Sequence, residues 1–175
     1  QAELGPVFDI TLDGEDGAPV GGELEHAQLI AEMIDSGANR FDRVGARVQT
    51  VDHPAFEAMV DVVIGRAGPR LPYLMIPKPR HLQDLERAIE VVDEASQRHG
   101  LDREVPLHTL VETPGALRDA MAMAAHPRVH SLSFGLMDYV SAHRGAIPQS
   151  AMTAKGQFEH PLVLRAKLEI AAARH

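Results

Sequence analysis

Five short apolar runs recur along this chain. Each finishes on a charged or strongly polar side chain, and a helix-length segment lies between successive runs. Residues 7–12 lead into Asp13, Glu15 and Asp16; residues 44–48 surround Arg47; residues 71–77 end at Lys78; residues 105–111 end at Glu112; and residues 129–134 lead to Asp138. Strand, polar tip, helix, repeated, is the pattern of a parallel α/β protein that gathers its chemistry at one sheet edge. Three tips supply carboxylates and two supply cations. That mixture suits a metal ion and an anionic substrate better than it suits packing.

The periodicity of each segment supports this reading. Residues 7–12 alternate, with Phe8, Ile10 and Leu12 on one face and Asp9, Thr11 and Asp13 on the other. Residues 23–35 align Leu24, Ala27, Ile30, Ala31 and Ile34 on one side of a helix. A second helix starts near residue 52, with Pro54 in its first turn and Phe56, Met59, Val60, Val63 and Ile64 as its buried stripe. Residues 81–99 form the clearest helix, and Gly100 stands at its stop. Thr113 and Pro114 cap and open a fourth helix carrying Leu117, Ala120, Met121 and Ala124. A fifth, over 161–174, aligns Leu164, Leu168 and Ala171. Residues 138–160 show little periodicity and are predicted to form a long loop over the active site.

The 175 residues make a single domain, 1–175. Five strands would complete an open sheet at this length, whereas a closed (β/α)8 barrel needs roughly 250 residues. The chain begins almost on a strand and stops in a helix, so it reads as a fragment. Aromatic residues are 4% of the chain and Trp is absent, so the core is aliphatic. The net charge of −8 disfavours a nucleic-acid role. The absence of Cys excludes disulfides, thiolate metal sites and Cys nucleophiles. No apolar run approaches the ~20 residues of a membrane span, and no signal peptide is recognisable at the start, so a cytoplasmic protein is expected.

The tips carry alternative readings. Adjacent parallel strands bring Glu112 and Asp138 close, and two carboxylates with open water positions suit Mg²⁺; equally, Glu112 could cap the helix at Thr113 and Asp138 open a loop. Asp13, Glu15 and Asp16 repel one another unless a cation or several N–H donors offset them, and a solvated acidic turn is the plainer reading. Arg47 points away from the Ala46 and Val48 face, fit either to clamp a carboxylate or to close an internal salt bridge. Lys78, between two prolines, reads as a positioned surface lysine rather than a Schiff-base lysine. The ten histidines form no metal pattern and are expected at the surface or at caps, with His143 inside the long loop. Serine-hydrolase, P-loop and dinucleotide motifs are absent.

In order along the chain stand Asp13-Gly14-Glu15-Asp16-Gly17, Ala46-Arg47-Val48, Ile76-Pro77-Lys78, Val111-Glu112-Thr113-Pro114-Gly115 and Ser133-Phe134-Gly135-Leu136-Met137-Asp138. This series resembles the HpcH/HpaI aldolase/citrate lyase β-subunit family, including its malyl-CoA lyase-like members, over residues 8–168. The resemblance implies a (β/α)8 TIM barrel of the phosphoenolpyruvate/pyruvate type, present here as an incomplete barrel of about five β/α units. It implies a Mg²⁺-dependent carbon–carbon lyase or aldolase acting on a 3-hydroxyacyl-CoA or related carboxylic acid, in a homo-oligomer. By the same resemblance Glu112 and Asp138 are the metal ligands, and Arg47, Glu15 and Asp16 are catalytic. Substrate is held by Arg47 and by Gly135, Leu136 and Met137. The usual Leu-Glu-Asp-Ala reads Gly14-Glu15-Asp16-Gly17 here, and Pro19-Val20-Gly21-Gly22 replaces the basic residue that follows it. These departures bear on CoA use. Two alternatives remain: a non-catalytic family member serving as a subunit or ligand-binding protein, and an aldolase of free hydroxy-oxo acids that needs no CoA.

Overall fold

The computed structural model describes residues 5–173. Five strands, β1 (Ile10–Asp13), β2 (Val44–Arg47), β3 (Leu74–Ile76), β4 (Leu107–Val111) and β5 (Val129–Phe134), form one sheet. All four pairings are parallel and the spatial order is the sequence order. Between and after them run α1 (Glu23–Asp35), α2 (Phe56–Ala67), α3 (Leu82–Arg98), α4 (Pro114–Arg118), α5 (Ala120–Ala125), α6 (Leu136–Ala142), α7 (Gly156–Glu159) and α8 (Pro161–Ala173). The helices pack in series, α1 on α2, α2 on α3, α3 on α5 and α5 on α8. A doubly wound sheet would reverse its strand order at a switch point. Here the order never reverses, so the structure is an arc of a (β/α) barrel, incomplete as expected.

Burial on the strands explains the arc. On β4, Leu107, Thr109 and Val111 are buried beneath the helices, while His108 and Leu110 face the other way. The predicted stripes of α2 and α3 are buried. Gly100 ends α3 at φ +64°, where a side chain would be disfavoured. Thr113 caps α4 by accepting from the Ala116 N–H at 3.0 Å, as its sequence position suggests.

Three expectations are corrected. The predicted loop over residues 138–160 is largely helical: α6, a 3₁₀ turn (Gln149–Met152) and α7 fill it. Short helices of one or two turns carry too few positions to show a period. The aligned face of α8 is the wrong one, because Val163, Ala166 and Ile170 are buried while Leu168 is 61% exposed. Pro54 lies in the turn before α2 rather than within its first turn. Among the described residues no helix is long and apolar enough to cross a membrane.

Candidate active site at the strand tips

The five polar tips converge. β1 and β2 pair with Asp13 opposite Arg47, and neighbouring parallel strands lie about 4.8 Å apart. Arg47 therefore closes on Asp13 in two-pronged fashion, Nε to Oδ1 at 2.7 Å and Nη2 to Oδ2 at 2.6 Å. Asp13 also accepts from the backbone N–H of Glu15 and of Gly17, both at 3.0 Å. Burial alone would raise its pKa, but the Arg47 guanidinium and these N–H groups hold it below the usual carboxylate range. Asp13 is thus the organiser of the acidic turn.

The turn is only partly solvated, with Asp16 exposed and Glu15 buried. Glu15 is only 6% exposed. Its Oε1 lies 2.6 Å from the Lys78 ammonium and its Oε2 lies 2.8 Å from Arg47 Nη1, the latter an ion pair whose angle falls outside hydrogen-bond geometry. Burial nevertheless pushes the Glu15 carboxyl up, only partly countered by Lys78 and Arg47. Asp16 accepts from Lys78 Nζ at 3.0 and 3.2 Å. Of the two readings of Arg47, the internal salt bridge is present. Two of its five N–H donors bond Asp13, while Nη1 faces Glu15 as an ion pair without a hydrogen bond.

Lys78 is more central than a surface lysine. It adopts φ +50°, a left-handed conformation costly for a side-chain-bearing residue. That turn aims its backbone N–H at Glu112 Oε1, 2.9 Å away, while its ammonium reaches Glu15, Asp16 and, at 3.7 Å, Asp138. Burial by itself would lower the ammonium pKa, but the surrounding carboxylates raise it, so it stays charged. Two flanking prolines at a strand tip are the sequence signal for this role, since they fix the chain on both sides of the turn.

Glu112 does not cap α4, since Thr113 does. It is 1% exposed. Burial, then the charge of Asp138, pushes its pKa up to about 7. Asp138 stands in the first turn of α6, its side chain 40% exposed. Gly135 ends β5 against Glu112, and Leu136 and Met137 begin α6, with Met137 69% exposed. Lys78, Glu112 and Asp138, with Thr50, Asp52, Arg80, Thr113, Ser141 and Ala142, line a cleft of about 360 Å³. In this cluster five carboxylates, Asp13, Glu15, Asp16, Glu112 and Asp138, meet two cations, Arg47 and Lys78, a net of −3 when all are ionised.

The residues fit a hard divalent cation. Glu112, buried beside a second carboxylate, is a group whose ionised form an added positive charge would stabilise. Among the described residues no group of three or more His, Asp or Glu has ligating geometry. Two carboxylates with room for water or substrate oxygens would suit Mg²⁺.

One polar cluster is not anticipated by the sequence reading. His108 on β4 faces β5, with Nδ1 2.5 Å from Ser131 Oγ and Nε2 2.7 Å from Ser133 Oγ. It is not a surface histidine, and burial lowers its pKa. Alternation on β4 and β5 places these three side chains on one face, and that alternation is the signal the sequence offers. His143 packs against Tyr139 in a tilted ring contact, centroids 4.4 Å apart.

Comparisons with known proteins bear on the family and the fold. The model of the HpcH/HpaI aldolase/citrate lyase family matches residues 9–173. A citrate lyase from Burkholderia xenovorans LB400 is 49% identical over 100% of this chain and 55% of its own, with a TM-score of 0.95. A malate synthase from Haloferax volcanii, solved as a lead(II) complex, is 22% identical over 93% of this chain and 49% of its own, with a TM-score of 0.72. The citrate lyase β subunit from M. tuberculosis, solved with oxaloacetate and magnesium, is 18% identical over 94% of this chain and 63% of its own, with a TM-score of 0.68. The last two show the fold alone. The chain spans about half the length of the first of these structures. No curated protein sequence matches it.

Proposed function

The chain belongs to the HpcH/HpaI aldolase/citrate lyase family, and from that premise we propose that it carries the site of a Mg²⁺-dependent carbon–carbon lyase acting on a 3-hydroxyacyl-CoA or related carboxylic acid. The carrying observation is the buried Glu112 beside Asp138 at the same strand edge as Arg47. The substrates of the similar proteins point the same way, since one neighbour was solved with oxaloacetate and magnesium.

Glu112 and Asp138 would hold the metal. When bound, it would polarise the carbonyl of the oxo acid and stabilise the developing oxyanion. Charge requires such help. An anionic substrate would meet a cluster of net −3 when all five carboxylates are ionised, and a divalent cation would reduce that to −1. The remaining N–H donors of Arg47 then bind the substrate carboxylate or the nascent carbonyl oxygen. Asp13 and Glu15 fix the plane of the guanidinium, so little entropy is lost on binding. Lys78 and Arg47 both remain protonated and act by binding and orientation, not as bases. Gly135, Leu136 and Met137 would supply backbone against the substrate, and Glu15 and Asp16 hold the two cations in place.

Arg47, Glu112 and Asp138 are all present and gathered, which gives the non-catalytic alternative no support. The test is to offer the protein malyl-, citramalyl- and citryl-thioesters and free hydroxy-oxo acids with Mg²⁺, and to measure the oxo acid released. Thioester cleavage supports the proposal. Cleavage of the free acids alone favours the CoA-independent aldolase, and no turnover by the folded protein overturns the lyase reading.

A further inference from the structure

Lys78 is the only described residue whose ion pairs reach both the acidic turn and Asp138. Its ammonium lies 2.6 Å from Glu15, 3.0 Å from Asp16 and 3.7 Å from Asp138. Glu15 and Asp16 lie within hydrogen-bond reach of the ammonium, whereas Asp138 is held by charge alone. The same residue's backbone N–H holds Glu112. These two attachments are chemically separable, because replacing the side chain leaves the backbone bond intact.

Resting on the metal reading above, we propose that the Lys78 side chain is an internal counter-cation of the carboxylate cluster, which a divalent ion must push off Asp138 in order to bind. A single positive charge already occupies space that the second ligand would share with the metal. Two cations within a few ångströms repel, and the repulsion is large in a part-buried site. Lys78 then retreats onto Glu15 and Asp16, where it still braces the turn that holds Arg47. It is a positioning residue, and it keeps the site from taking up a divalent ion too tightly.

The sign of the effect separates this from a merely structural role. A brace, when removed, loosens the site and weakens metal binding; a competitor, when removed, tightens it. Calorimetry with Mn²⁺ on the protein, without substrate, reads the difference. Lys78→Met keeps the stem and the backbone N–H but removes the charge, and the dissociation constant for Mn²⁺ is expected to fall on the order of tenfold. Lys78→Arg keeps the charge and is expected to keep wild-type affinity. Lys78→Gln, which can still bond Glu15, gives a second neutral variant should the Met form fold poorly. Unchanged or weaker Mn²⁺ binding in a folded neutral variant, with Glu112→Gln abolishing binding, overturns this inference alone. Absence of Mn²⁺ binding in the wild type, or binding indifferent to Glu112→Gln, overturns the metal reading and this inference with it.

Discussion

Gly135 packs so closely on Glu112 that a methyl group on its Cα would lie 2.1 Å from Oε2 and 2.5 Å from Cβ of the glutamate. Its φ of −87° is ordinary, so the constraint is steric and not conformational. Glu112 is buried and tied to the Lys78 N–H, and it has nowhere to move. Gly135→Ala is therefore expected to cost about 1–3 kcal/mol of stability by overpacking and to weaken Mn²⁺ binding more than it weakens the fold. Urea unfolding and calorimetry on the same variant check both.

Arg47 neutralises Asp13 and the buried Glu15 at once. Arg47→Met leaves Glu15 with Lys78 only. A loss of about 2–3 kcal/mol is expected, below the range for fully buried pairs because Arg47 is itself part-exposed. Arg47→Lys restores charge but not the fork, so it is expected to recover stability without recovering substrate affinity. A variant that recovers both would argue against the clamp.

The Glu112 carboxyl titrates near pH 7 in the folded protein against 4.5 when unfolded. A carboxyl raised by folding contributes stability that is fully present below 4.5 and lost as the pH rises through 7. Metal-free protein is expected to lose on the order of 3 kcal/mol across that window. Glu112→Gln should flatten the loss, and Mg²⁺ should reverse it in the wild type. Thermal melts between pH 4.5 and 8, with and without Mg²⁺, provide the comparison.

His108 runs the other way. Burial depresses its pKa below 6.5, and neutral imidazole is what its two serine partners accommodate. Its contribution is present above pH 6.5 and lost as the pH falls through the folded value. His108→Gln keeps hydrogen bonding to the serines and is expected to remove that acid-side loss. A ring resonance titrating above 6.5 in nuclear magnetic resonance spectra would contradict the assignment.

Much of the fold is legible in the amino-acid sequence. Strand β5 and helix α1 fall on the predicted residues, and β4 and α3 within two, because apolar period and caps agree there. The convergence of Arg47, Glu112 and Asp138 follows from strand tips in a parallel sheet. The weight of Lys78 is only partly legible: the flanking prolines mark a fixed turn, but no side-chain pattern encodes its left-handed conformation. Asp13 looks like one more member of the acidic turn, since only strand register sets it opposite Arg47. The buried face of α8 escapes a pattern weighted towards leucine, because Val163, Ala166 and Ile170 are the residues that face inward.

The central claim is that Glu112 and Asp138 hold a divalent ion on which the lyase chemistry depends. The most direct measurement is oxo-acid release from a malyl-, citramalyl- or citryl-thioester as Mg²⁺ is removed and restored, for the wild type and for Glu112→Gln. The expected result is turnover that EDTA abolishes, that Mg²⁺ restores in the wild type, and that Mg²⁺ fails to restore in Glu112→Gln. Turnover that survives both EDTA and Glu112→Gln would contradict it.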